Sequence, residues 1–61
     1  MAQRVLIVED DDITREILVS MLVNRGFTCD QAANGRQALE MLGAGEYDVV
    51  VTDIAMPLMT G

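Results

Sequence analysis

The sequence predicts an α/β fold in which three parallel strands alternate with two helices in the order β-α-β-α-β. Residues 4–8 and 47–53 are short apolar runs rich in β-branched side chains, which is typical of strands buried on both faces of a parallel sheet. A third, weaker run lies between them, flanked by two stretches with apolar residues at helical spacing. Right-handed crossovers and short connections predict the strand order 2-1-3, which makes the two apolar strands neighbours.

The first strand, "RVLIV", leads into the first predicted helix, which lies within "DDITREILVSMLVNRG". Asp11 or Asp12 is suited to the N-cap position, where a carboxylate accepts hydrogen bonds from free N–H groups. Gly26 is suited to C′, the position just past the end of the helix. The apolar residues at helical spacing are Ile13, Ile17, Leu18, Met21 and Leu22.

The second strand, "FTCDQAA" at residues 27–33, is more polar and is expected at an edge of the sheet. Asn34 is suited to cap a second helix through "GRQALEMLG". The inner face of this helix is expected to carry Ala38, Leu39 and Leu42. The third strand, "YDVVVTD", is followed by the predicted loop "IAMPLMTG", whose proline stops an immediate continuation of the strand.

The composition excludes several functional classes. The 61 residues carry a formal net charge of −6, no histidine and a single cysteine, Cys29, which argues against a disulfide scaffold or a zinc site. The acidic balance disfavours nonspecific binding to nucleic acid or to an anionic membrane. The apolar runs fall well short of the roughly 20 residues that span a bilayer. We therefore expect one cytoplasmic domain in which Cys29 fills the core.

Acidic residues follow both apolar strands. Glu9 and Asp10 come directly after the first strand, and Asp53 ends the third. Because the carboxyl ends of neighbouring parallel strands meet at one edge of the sheet, these carboxylates are expected to converge there. Carboxylates held this close take up a proton or bind a cation, and a site made only of oxygen ligands favours Mg²⁺. The glycines of a dinucleotide-binding turn or a P-loop are absent from the first turn.

Three segments, "VLIVEDD", "AANGRQALEML" and "YDVVVTDIAMPLMTG", together resemble the receiver domain of two-component response regulators. The resemblance implies a flavodoxin-like fold, of which residues 1–61 form the N-terminal half, truncated after the third strand and its loop. It implies that Asp53 is the phosphoacceptor and takes a phosphoryl group from a histidine kinase or a phosphotransfer protein. Asp10 would bind Mg²⁺ directly, Glu9 would act through a metal-bound water, and the backbone carbonyl of Ala55 would be a further ligand. The domain itself would be no enzyme, although a larger enzyme such as a hybrid kinase could contain it.

The sequence also departs from the family pattern. The family uses a Ser or Thr after a fourth strand and a Lys after a fifth, whereas this sequence ends before both positions and contains no lysine. We therefore expect phosphorylation of the 61-residue chain to be impaired. The third strand would form an exposed apolar edge, and the first helix would lack a neighbouring helix. We expect a homo-oligomer, with a dimer as the first expectation, through these two surfaces.

Two alternative functions stay open at this point. The stretch "VLIVEDDDIT" also fits the nucleophile motif of haloacid-dehalogenase-type phosphatases, with Asp10 as nucleophile and Asp12 and Thr14 in the other motif positions. That alternative leaves the "DIAMPLMTG" ending unexplained. The chain could also be a self-associating half-domain without signalling activity. Asp11 and Asp12 are expected mainly to cap and solvate the start of the first helix.

Overall fold

The computed structural model describes residues 3–52, and its elements follow the predicted order. The predicted strand order is confirmed, because β1 lies in the centre and pairs in parallel with β2 on one side and β3 on the other. The predicted loop at residues 54–61 lies outside the described residues. The elements are β1 (Arg4–Val8), α1 (Asp12–Val23), β2 (Thr28–Ala32), α2 (Gly35–Ala44) and β3 (Val49–Thr52).

The core is built on the central strand. Leu6 and Ile7 are completely buried, and Val5 and Val8 are nearly so. The chain passes from β1 to β2 and then back past β1 to β3, so right-handed crossovers place α1 and α2 on opposite faces of the sheet. The carboxyl end of β1 is therefore held between its two neighbouring strands. The α2 face of the core consists of Leu6, Val8, Ala32 and Ala38, with Met41 and Tyr47 packed against it.

Both helix starts and the end of α1 follow the sequence prediction. Asp11 caps α1 by accepting the Thr14 N–H at 2.8 Å, and Asn34 caps α2 by accepting the Gln37 N–H at 2.9 Å. Past α1, the Gly26 and Phe27 N–H groups donate to the carbonyls of residues 23 and 22, which is the hydrogen-bond pattern of a Schellman motif. Gly26 has a φ of +93°, a conformation that glycine adopts without steric cost.

The helices bury less of their apolar surface than the spacing of residues suggests. In α1 no residue is fully buried, and Ile13 is 71% exposed. In α2 the prediction for Leu39 and Leu42 is wrong, because both are exposed while Ala38 is buried. Periodicity predicts an apolar stripe, but the sheet beneath each helix covers only part of that stripe within residues 3–52. None of the helices in this part of the chain is both long and apolar enough to cross a membrane.

The third strand presents apolar side chains to solvent. Among residues 3–52, β3 pairs only with β1, so its other edge is open there. Val49 and Val50 are 44% and 43% exposed. Apolar side chains in this part of the chain are therefore exposed on β3, on the α1 stripe of Ile13, Ile17 and Met21, and at Leu39 and Leu42 of α2.

A polar cluster links the first residue of β1, the middle of β2 and the two residues that precede β3. The Arg4 guanidinium and the Tyr47 hydroxyl both donate to Asp30 Oδ2, at 2.9 and 2.7 Å. The Arg4 backbone N–H donates to Asp48 Oδ2 at 2.8 Å, and the guanidinium carbon lies 4.9 Å from the centre of the Tyr47 ring. The hydrogen bonds from Tyr47, and then from Arg4, lower the pKa of Asp30. The cluster stabilises the sheet away from the acidic edge.

Candidate functional site

The carboxyl ends of β1 and β3 lie side by side, as the sequence predicted. Val8, the last residue of β1, pairs with Thr52, the last residue of β3, and with Ala32 of β2 on its other side. Glu9 continues the pairing of β1 with β2, because its N–H donates to the Ala32 carbonyl at 3.1 Å. The residue that follows Thr52 in the sequence is Asp53, which lies outside the described residues, as does Ala55.

The four consecutive acids after β1 occupy four different environments. Glu9 is only 4% exposed, and its Oε1 accepts the Asp11 N–H at 3.1 Å. Asp10 is exposed at the tip of the connection. Asp11 is the N-cap of α1, and Asp12 forms an ion pair with Arg15. Asp11 and Asp12 thus interact with residues of α1, whereas Glu9 and Asp10, the two predicted ligands among the described residues, precede the helix.

Of the two residues that the sequence offered as the cap of α1, Asp11 or Asp12, the structure has Asp11. Its Oδ2 accepts the Thr14 hydroxyl at 2.7 Å and the Thr14 N–H at 2.8 Å. These two hydrogen bonds, the one from the hydroxyl first, lower the pKa of the Asp11 carboxyl. The same contacts bear on the phosphatase alternative, because they engage Thr14 at the start of α1 while Asp12 pairs with Arg15. Two of the three groups in that motif are thus held by the helix.

Arg15 is a residue of this site that sequence reasoning missed. Its side chain is 14% exposed and makes three contacts around the acidic connection. Nη1 donates to the Glu9 carbonyl at 2.8 Å, Nε donates to Gln31 Oε1 at 3.1 Å, and Nη2 contacts Asp12 Oδ1. The spacing of Asp12 and Arg15 on one helix face was the available sign of the ion pair. No spacing in the sequence indicates the other two contacts.

The residues present fit part of a Mg²⁺ site. Within residues 3–52 no group of three or more Asp, Glu, His or Cys side chains is arranged to hold a metal. The predicted ligands in this range, Glu9 and Asp10, carry carboxylate oxygens of the kind that Mg²⁺ prefers, and Mg²⁺ often takes only one or two protein carboxylates together with water. A complete ligand set requires the predicted contributions of Asp53 and Ala55.

The structure also places Cys29, near the start of β2, and Thr52, at the carboxyl end of β3. Cys29 lies half-buried in β2, and burial, followed by the charge of Asp30, raises the pKa of its thiol. A raised thiol pKa is expected of a packing residue and disfavours the reactive thiolate. Thr52, whose orientation the sequence left open, is exposed at the end of β3.

Comparison with known proteins identifies a family. The sequence profile of the family described as "Response regulator receiver domain" matches residues 5–61. Among curated proteins, the sensor kinase CckA of Brucella abortus is 48% identical over 59 residues. That match covers 93% of this chain but only 6% of CckA, so the chain spans a small part of this relative.

Two solved structures share the fold. The chemotaxis response regulator CheY4 of Vibrio cholerae aligns with a TM-score of 0.90 and 33% identity, over 98% of this chain and 50% of that one. The response regulator protein TrrA from Thermotoga maritima, solved in complex with Mg(2+)-BeF, aligns with a TM-score of 0.85 and 42% identity. That alignment covers 90% of this chain and 48% of TrrA. The described residues thus correspond to part of a flavodoxin-like fold of the CheY type.

Proposed function

We propose a phosphorelay function from the premise that this chain belongs to the family of response regulator receiver domains, as the match over residues 5–61 shows. In the proposed reaction, a carboxylate oxygen of Asp53 attacks the phosphorus of a phosphohistidine in a histidine kinase or a phosphotransfer protein. The phosphorus–nitrogen bond breaks, its electron pair returns to the imidazole, and a phosphorus–oxygen bond forms. The product is an acyl phosphate on Asp53.

The pairing of Val8 with Thr52 is the observation that supports this proposal most strongly. Each of these residues is followed directly by an acid, Glu9 after one and Asp53 after the other. Consecutive Cα atoms lie about 3.8 Å apart, so Asp53 begins within one residue of the edge at which Glu9 lies. We therefore assign Asp53 to the same crevice as Glu9 and Asp10.

We propose that Mg²⁺ binds in this crevice. Asp10 would bind the ion directly, Glu9 would bind through a metal-bound water, and Asp53 and the Ala55 carbonyl would complete the protein ligands. The ion would neutralise the carboxylates and the incoming phosphoryl oxygens, which otherwise repel one another. The aligned relative TrrA was solved in complex with Mg(2+)-BeF, which supports a magnesium site in this fold.

The proposed partners are a histidine kinase or a phosphotransfer protein, and the proposed location is the cytoplasm. A sensor kinase is among the relatives, at 48% identity. The formal net charge of −6 makes this segment a poor match for nucleic acid or an anionic membrane surface. Within the phosphorelay, the domain would act as an acceptor of the phosphoryl group, and its own chemistry would be limited to holding and releasing it.

We also propose that the 61-residue chain self-associates when it is alone in solution. Two surfaces among the described residues favour this: the exposed stripe of Ile13, Ile17 and Met21 on α1, and the valine-rich edge of β3. The stripe lines a groove of about 360 Å³. Exposed apolar surface and an open strand edge both favour association between copies. If association were the only activity, the chain would be a half-domain without signalling.

The proposed function can be tested in a fusion protein. Residues 1–61 would be joined to the half of CheY4 that the alignment leaves uncovered, and the fusion would be incubated with acetyl phosphate and Mg²⁺. We expect a mass gain of one phosphoryl group that Asp53→Asn abolishes. The matched control, Asp48→Asn, removes the same charge at the opposite end of β3, where the new side-chain oxygen can still accept the Arg4 N–H.

The proposal would be contradicted if the Asp53→Asn fusion still gained a phosphoryl group, or if the wild-type fusion gained one without a divalent cation. The 61-residue chain by itself contains no lysine, so it lacks an ammonium donor for the phosphoryl oxygens. We therefore expect it to take up less phosphate than the fusion under the same conditions.

A further inference from the structure

We infer that Arg15 is a positioning residue for the metal site, an inference that rests on the proposed function. The Arg15 guanidinium lies beneath the acidic connection and uses each of its three nitrogens on a different acceptor, which are Glu9, Gln31 and Asp12. It is 14% exposed, so most of its surface is removed from water. A planar guanidinium suits this arrangement because its donors point in fixed directions.

The contact with Glu9 acts on the peptide that joins the two predicted acidic ligands. The Glu9 carbonyl, which accepts Nη1 at 2.8 Å, belongs to the peptide group that connects Glu9 to Asp10. Because a peptide group is planar, holding its oxygen also fixes the nitrogen of Asp10 and the direction in which that residue leaves the strand. Arg15 therefore orients Asp10 without touching its carboxylate.

The other contacts attach this peptide to the rest of the fold. The hydrogen bond to Gln31 anchors the guanidinium to β2, and the Glu9 N–H donates to Ala32 of the same strand. The peptide groups on both sides of Glu9 are thus held against β2. The ion pair with Asp12 joins the guanidinium to the start of α1.

Charge and positioning make opposite predictions for Arg15. A cation beside the acids repels Mg²⁺, so a pure charge effect means that its removal tightens Mg²⁺ binding. A positioning effect means that its removal weakens binding, because the acids lose their fixed orientation. The sign of the change in Mg²⁺ affinity therefore distinguishes the two.

The test is a calorimetric titration of the chain with MgCl₂, with circular dichroism used to check that each variant is folded. We expect Arg15→Ala to raise the Kd for Mg²⁺ roughly tenfold, as is typical when a group that orients a ligand is removed. Arg15→Lys keeps the charge but replaces the planar fork with a single ammonium, so we expect a smaller rise. The control is Arg25→Ala, which removes the same charge just past the other end of α1 and is expected to leave the Kd unchanged.

Each outcome decides the matter. A folded Arg15→Ala chain that binds Mg²⁺ as tightly as the wild type, or more tightly, overturns the inference and leaves the proposed function standing. An equal rise in the Kd of Arg25→Ala also overturns it, since the loss of affinity would then not depend on the contacts that Arg15 makes. If Arg15→Ala does not fold, Arg15→Lys decides, and an unchanged Kd in that variant overturns the inference. A wild-type chain that binds no Mg²⁺ overturns both the inference and the proposed metal site.

Discussion

Val8 and Thr52 pair in parallel register at the carboxyl ends of the central strand and its neighbour β3. This relationship joins two parts of the chain that lie far apart in the sequence and that each continue directly into an acid. Because residues 5–8 are buried in the core, the core also fixes the position of Glu9, the acid that follows them.

Two glycines are expected to respond to alanine with opposite signs. Gly26 has a φ of +93°, so Gly26→Ala places a Cβ in a left-handed conformation and is expected to lower the free energy of unfolding by about 1 kcal/mol. Gly43 lies within α2, and a Cβ added there meets no atom within 4 Å, so Gly43→Ala is expected to raise stability by roughly 0.5–1 kcal/mol. Urea unfolding measures both. Equal effects of the two substitutions would contradict the assigned helix ends.

The polar cluster of Arg4, Asp30 and Tyr47 predicts a pH dependence of stability. The pKa of Asp30 is lowered by the hydrogen bond from Tyr47 and then by that from Arg4. Its contribution to stability is therefore present above the ordinary carboxyl pKa, about 3.9, and is lost as the pH falls through the lowered value. Asp30→Asn should lower the Tm at neutral pH. In acid, the Tm values of the variant and the wild type should lie closer together.

Thermal melts between about pH 2 and pH 7 test this prediction. Glu46→Gln is the control, because Glu46 is exposed and takes part in none of the cluster's hydrogen bonds described above. A difference between Asp30→Asn and wild type that stays constant down to the lowest pH would contradict the assigned hydrogen bonds.

Self-association of the 61-residue chain is expected to depend on the exposed stripe of α1. Ile17 is 55% exposed in the middle of that stripe, so Ile17→Glu adds a charge to an association surface without emptying the core. We expect sedimentation equilibrium to give a dimer for the wild type and a lower mass for the variant. Val50→Lys tests the β3 edge in the same way, since lysine on an edge strand opposes pairing. A wild-type monomer at micromolar concentration would contradict the expectation.

The fold was predictable because its main determinants are local. The strands and helices differ in the spacing of their apolar residues. The residue types at the helix ends also suit their positions: Asp11 and Asn34 cap the two helix starts, and Gly26 adopts the positive φ past the end of α1. The burial of Leu39 and Leu42 was predicted wrongly, because spacing defines a stripe but not the width of the surface that covers it.

The candidate site was predictable only in part. Glu9 could be placed because it follows a buried strand, and Asp11 because its type and position suit a helix cap. Arg15 was missed, since two of its acceptors are a backbone carbonyl and an amide on a different strand, which only the tertiary structure brings together. The placement of Asp53 beside Glu9 stays a prediction, and it is the central one.

The most direct test of that placement is a Mg²⁺ titration of the isotope-labelled chain followed by NMR. If the two strand ends form one site, the amide resonances of Asp10 and Asp53 should shift together with a single Kd, while that of Asp48 at the opposite end of β3 should not. Asp10→Asn should abolish both shifts, because the site would lose a carboxylate that we propose binds the ion directly. A shift at Asp10 without one at Asp53, or no shift at either residue, would contradict the account.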